Sequence, residues 1–108
     1  MRFFETRYGA GKCAEEVRVE AYQEKLWAAS FGVDQLDMLF DLDTPERAIP
    51  KFDAAIRKFD HDPESLRPLL DPTDRRGLVG NRKVLEQMRA TLATHDDASI
   101  SGAMYNED

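Results

Sequence analysis

Ile49, Phe52, Ile56 and Phe59 recur at steps of three and four behind Thr44-Pro45-Glu46, and no other stretch of the chain constrains its fold as strongly. Residues so spaced share one face of an α-helix. The triplet before them supplies an N-cap hydroxyl, a proline at the first helical position where its missing N–H is harmless, and a carboxylate for the positive end of the helix dipole. Pro50 interrupts the run by removing one backbone hydrogen bond, so the spacing predicts a short turn, a kink and a main helix over 50–59. A helix apolar on one face must bury it, and 108 residues, of which 42% are hydrophobic, suffice for one core.

Other segments read as helices with less force. From Ala14 to Phe31 there is neither Pro nor Gly, and helical spacing yields two apolar stripes: Ala14, Val17, Ala21, Ala28 and Phe31 on one side, Val19, Tyr22, Leu26 and Ala29 on the other. The alternation of Val17, Val19 and Ala21 with Arg18 and Glu20 also fits a hairpin strand, and between residues 16 and 22 both readings stay open. Gly32 marks a helix end, and Val33–Leu42 reads as a second, shorter helix with Val33, Leu36, Leu39 and Phe40 inward. Asp62-Pro63-Glu64 and Asp71-Pro72-Thr73-Asp74 start brief helical turns pinned by Leu66, Leu69 and Leu70. Gly77 and Gly80 bracket a loop, after which Asn81 caps a last helix with Val84, Leu85, Met88 and Leu92 inward, ending near His95.

The expected fold is therefore all-α: a compact bundle of about four main helices with short helical turns, leaving room for a small N-terminal strand around Phe3 and Phe4. Residues 1–95 form a single helical domain with an N-terminal arm, and 96–108, small, polar and acidic, form a flexible tail.

Fifteen Lys and Arg against 21 Asp and Glu leave a formal charge of −6, which opposes direct binding to nucleic acid or anionic lipid. One cysteine permits no intrachain disulfide and fits a reducing compartment. With charges in its first seven residues and no apolar run of about 20, the chain is expected to be cytoplasmic, with no membrane partner.

Motifs with chemical potential are few. Gly9-Ala10-Gly11-Lys12-Cys13 resembles a phosphate-binding P-loop only in part, with Thr6 where a glycine is required and Cys13 where Ser or Thr should hold magnesium, and an ordinary turn is the expectation. Cys13, His61 and His95 are the raw material for a thiol or metal enzyme, and Asp60-His61-Asp62 and His95-Asp96-Asp97 offer imidazole beside carboxylate. Adjacent residues do not face one another on a helix, so no catalytic set, cofactor or metal is assigned. Arg75, Arg76, Arg82 and Lys83 surround a Gly-x-x-Gly that resembles the RNA-clamping loop of KH modules, without their alternation of helix and strand. In an acidic chain these four cations suit internal pairing or a subunit contact better than RNA.

The expected function is non-enzymatic: stoichiometric association with another protein. Asp34, Asp37, Asp41, Asp43 and Glu46 would form an acidic stripe on the second helix, recognising a basic surface as an inhibitor mimicking nucleic acid does. Val19, Tyr22, Leu26 and Trp27, on the spare side of the first helix, are the candidates for a homodimer contact.

Overall fold

The computed structural model describes residues 2–37 and 39–105, with backbone alone for 103–105. It overturns the all-α expectation. Strands β1 (Arg2–Tyr8), β2 (Cys13–Val19), β3 (Phe40–Asp43) and β4 (Ser99–Tyr105) form one antiparallel sheet in the order β2-β1-β4-β3. Helices α1 (Glu24–Phe31), α2 (Pro45–His61), the single turn α3 (Pro63–Leu66) and α4 (Gly77–Thr94) complete the fold, so it is mixed α/β and not a helical bundle.

Three segments account for the difference. Within 14–31 the period-two alternation prevails up to Val19, because β2 pairs along its whole length with β1, from Arg2↔Val19 to Tyr8↔Cys13. Val17 lies opposite Phe4 and turns to the core with it, while Glu16 and Arg18 remain exposed. Only the second half of that segment is helical. It ends as expected at Gly32, whose φ of +72 is left-handed, with Val33 N–H returning to the Ala28 carbonyl. The predicted helix over Val33–Leu42 is a loop followed by edge strand β3. The segment read as a flexible tail supplies β4, held between β1 and β3, with Ile100 opposite Thr6 on one side and Asp43 on the other. Residues 106–108 of that tail lie outside the described residues.

Gly102 permits this central strand. Its φ is +126, and a Cβ there would sit 2.7 Å from the Phe3 carbonyl oxygen, at the bulge where the β1–β4 register shifts.

The helices hold closer to expectation. α2 buries Phe52 and Phe59 and half-buries Ile49 and Ile56, and runs unbroken through Pro50. Thr44 caps it through its carbonyl, which accepts from Arg47 and Ala48 N–H, rather than through its hydroxyl. α4 buries Leu85, Met88 and Leu92 but begins at Gly77, so the expected loop is its first turn and Asn81 lies inside the helix, not at its cap. In the connector the Asp62-Pro63 signal starts helical turns, α3 followed by a tighter turn over Arg67–Leu69, whereas Asp71-Pro72-Thr73-Asp74 closes a hydrogen-bonded turn and starts no helix.

The core is aromatic at its centre. Phe4 stacks on Trp27 with ring centroids 5.8 Å apart and meets Phe40 edge-on; Phe40 stacks on Phe52 at 5.2 Å, and Phe31 closes the cluster edge-on against both Phe40 and Phe52. These five rings join β1, α1, β3 and α2.

Candidate functional site

Two concave surfaces lie on either side of the turn that leads into α4. This turn is built on Asp71 and Asp74. An Asp71 carboxylate oxygen accepts from Thr73 N–H at 2.8 Å, and the Asp71 carbonyl accepts from Asp74 N–H at 2.9 Å. The Thr73 bonds hold the Asp71 carboxyl below the usual carboxylate range.

Asp74 itself is buried. One of its oxygens accepts from Arg76 N–H at 2.9 Å, and the other from Gln23 Nε2 at 3.3 Å and Asn81 Nδ2 at 3.1 Å. Asn81 Oδ1 accepts from Trp27 Nε1 at 2.8 Å, while its Nδ2 also donates to the Gly77 carbonyl at 2.7 Å. Gln23 Oε1 accepts from Glu20 N–H at 3.0 Å. Every group in this chain of contacts has a partner, so the network locks α1, the turn and α4 into one geometry.

On one side of the turn a polar cleft of about 330 Å³ is lined by Arg18, Glu20, Tyr22, Gln23 and Thr73–Arg76. On the other, a groove of about 470 Å³ has apolar walls from Phe59, Pro63, Leu70, Leu78 and Val79, with Arg67, Arg76 and Arg82 at its rim and one carboxylate, Asp60. Val79 is 81% exposed, the most exposed of the large apolar residues described. Arg76 borders both surfaces. Gly80 permits this, since a Cβ there would lie 2.9 Å from Arg76 Cβ. The Gly-x-x-Gly thus serves helix geometry, with Gly77 at a φ of +63 and Gly80 giving space to Arg76.

The residues singled out from sequence scatter. The acidic stripe has no helix to carry it. Asp37 pairs with Arg2, which also binds Glu24. Asp43 is buried in β3, where its carboxylate accepts from Lys51 Nζ at 2.8 Å and from Asp41 N–H at 3.2 Å. Burial raises its pKa, but the Lys51 ammonium, the Asp41 N–H and the nearby Arg47 outweigh that and hold it below the ordinary value. Asp34, Asp41 and Glu46 are exposed, on a loop, an edge strand and the start of α2.

Of the four self-association candidates, Val19, Leu26 and Trp27 are completely buried in this protein's own core, because the two-sided helix they were assigned to does not form. Tyr22, 44% exposed, lines the polar cleft. In the basic loop, Arg82 is internally paired, with Asp60 and Glu86, and lowers the Asp60 pKa by its hydrogen bonds. Arg75, Arg76 and Lys83 form no ion pair among the described residues.

Gly9-Ala10-Gly11-Lys12 is the β1–β2 hairpin turn, with three successive left-handed residues from Gly9 to Gly11. The Ala10 N–H donates to Asp97 at 2.8 Å, so a carboxylate of this chain meets the donor a P-loop would direct at phosphate. Cys13 is exposed at the start of β2, His95 stacks on Tyr8 with centroids 4.0 Å apart, and His61 is exposed at the end of α2. Among the described residues no group of three or more His, Cys, Asp or Glu is placed to hold a metal, and no hydrogen bond joins Cys13 to either histidine.

The polar network and the groove were missed in sequence because Gln23 lies 51 residues from Asp74 and Trp27 lies 54 from Asn81. The one available signal was the apolar Leu78-Val79 pair between two glycines, of which Val79 is exposed and Leu78 partly buried. Among the described residues no helix is long and apolar enough to cross a membrane. Comparison with protein-family models, curated proteins and solved structures finds no match for this chain.

Proposed function

We propose that this protein acts in the cytoplasm as a non-enzymatic binding module, associating stoichiometrically with another protein through the groove beside the start of α4. The observation that carries this reading is the exposed Val79 among apolar walls, beside Arg76, which forms no ion pair among the described residues, and beside Arg67 and Arg82, which are already paired with Glu64 and with Asp60 and Glu86. The occupant it fits is a protein segment that places an apolar side chain between Leu70, Leu78 and Val79 and carboxylates over the rim. A basic partner is the second reading, favoured by the exposed Asp34, Asp41 and Glu46 and the charge of −6.

The test is quantitative capture from extract at low and moderate salt with wild type, Val79→Asp and Arg57→Gln. Val79→Asp places a charge at an open position and leaves the fold intact. An acidic partner held by wild type and Arg57→Gln, and weakened about tenfold or more by Val79→Asp, supports the groove. A partner held equally by Val79→Asp refutes it, and a basic one insensitive to that change favours the second reading.

A further inference from the structure

The polar cleft gathers three arginines that have no close carboxylate, whereas Arg47 and Arg57, which also form no ion pair among the described residues, lie outside it on α2. Arg2, Arg7, Arg67, Arg82 and Arg89 each lie within hydrogen-bonding distance of a carboxylate. Arg18 has only Glu20, at 3.8 Å, and Arg75 and Arg76 form no ion pair among the described residues, yet these three converge on one cavity. Three cationic side chains lining one cleft disfavour one another, and a chain with six excess carboxylates could have neutralised them. Opposing charges in the cleft are Glu20 and Asp74, and both Asp74 oxygens are already taken by Gln23, Asn81 and the Arg76 N–H.

From this arrangement we infer that the cleft bounded by Arg18, Tyr22, Arg75 and Arg76 is a binding site for a phosphate-type oxyanion, the guanidinium groups supplying the charge-assisted donors. Three features support it beyond charge. The cleft, at about 330 Å³, is within the range of ligand pockets. Two of its lining residues, Gln23 and Asp74, are held by the buried network with Asn81 and Trp27, so little ordering of them is required on binding. The Arg76 backbone is anchored twice, its N–H to Asp74 at 2.9 Å and its carbonyl to Gly80 N–H at 2.8 Å. Guanidinium is the side chain whose fork geometry matches phosphate oxygens. This site shares only Arg76 with the apolar groove.

The experiment is a titration of the full chain, followed by NMR of backbone amides and arginine Nε–H signals, with inorganic phosphate in one arm and a phosphoserine tetrapeptide in the other. Sodium chloride at matched ionic strength is the control. The expected result is saturable shifts at Tyr22, Gln23 and Thr73–Gly77, with a dissociation constant on the order of 1 mM or tighter in at least one arm. Combined Arg75→Gln and Arg76→Gln should weaken it about tenfold or more, while Arg57→Gln leaves it unchanged. Both arginines are exposed, so the variant keeps the fold. Tighter binding of the peptide assigns the group to a phosphorylated protein, and tighter binding of phosphate to a free anion. Shifts that fail to saturate in both arms, that chloride reproduces, or that survive the double substitution overturn the site.

Discussion

Replacing Asn81 by alanine tests whether the buried polar network organises this fold. Asn81 is fully buried in α4 and makes three hydrogen bonds, to Trp27, Asp74 and Gly77. Its removal leaves the Trp27 N–H without its acceptor and one Asp74 oxygen with Gln23 alone, each worth about 1–3 kcal/mol when a buried group loses its partner. Asp74 keeps two donors, so its share belongs at the low end, and the small cavity left by the amide adds to the loss. The sum is about 3 kcal/mol, a large part of the roughly 5–15 kcal/mol available to a domain. Urea unfolding followed by far-ultraviolet circular dichroism measures it, and the coupling follows from a double-mutant cycle with Trp27→Phe, which removes the donor and keeps an aromatic ring in the core. A coupling of about 1–2 kcal/mol is expected for a direct buried contact. A loss below about 1 kcal/mol for Asn81→Ala, or full additivity with Trp27→Phe, would refute the reasoning.

Gly102→Ala should destabilise by about 2 kcal/mol or more, since the new Cβ meets the Phe3 carbonyl oxygen in the middle of the sheet at a φ of +126, and thermal unfolding reads it directly. Acid should destabilise the native state through Asp97 and Asp43. The Ala10 N–H holds the Asp97 pKa down, and Lys51 together with the Asp41 N–H does the same for Asp43 against burial. A carboxyl whose folded pKa is depressed contributes stability that is fully present above its unfolded value, about 3.9, and is lost as pH falls through the folded one. Stability measured between about pH 2 and 6 should therefore decline below pH 4, less steeply in Asp43→Asn and in Asp97→Asn. An unaltered slope in both would remove these contacts as its source.

Legibility in the sequence followed the range of the interactions. The inward faces of α2 and α4, the glycine end of α1 and the proline-started turns of the connector are local patterns, and Phe52, Phe59, Leu85, Met88 and Leu92 are buried as their spacing implies. The strands were hidden for opposite reasons. β2 carries an alternation of only a few residues inside a stretch that also permits a helix, while Ser-Ile-Ser-Gly in β4 has neither a long apolar run nor a clear period. The candidate site was less legible still, because which carboxylate neutralises which arginine depends on partners such as Asp60 and Arg82, 22 residues apart.

By itself, then, the sequence determined where amphipathic helices begin, which side they bury, and that one core without disulfides must hold the chain together. The tertiary structure alone decided that residues 13–19 pair with β1 instead of coiling, that 99–105 lie at the centre of a sheet, and that Arg18, Arg75 and Arg76 share a cleft in which their guanidinium groups have no carboxylate in hydrogen-bonding distance. The physical reason is that a helix closes its hydrogen bonds within four residues, whereas a strand and a surface charge take their meaning from neighbours brought in from anywhere along the chain.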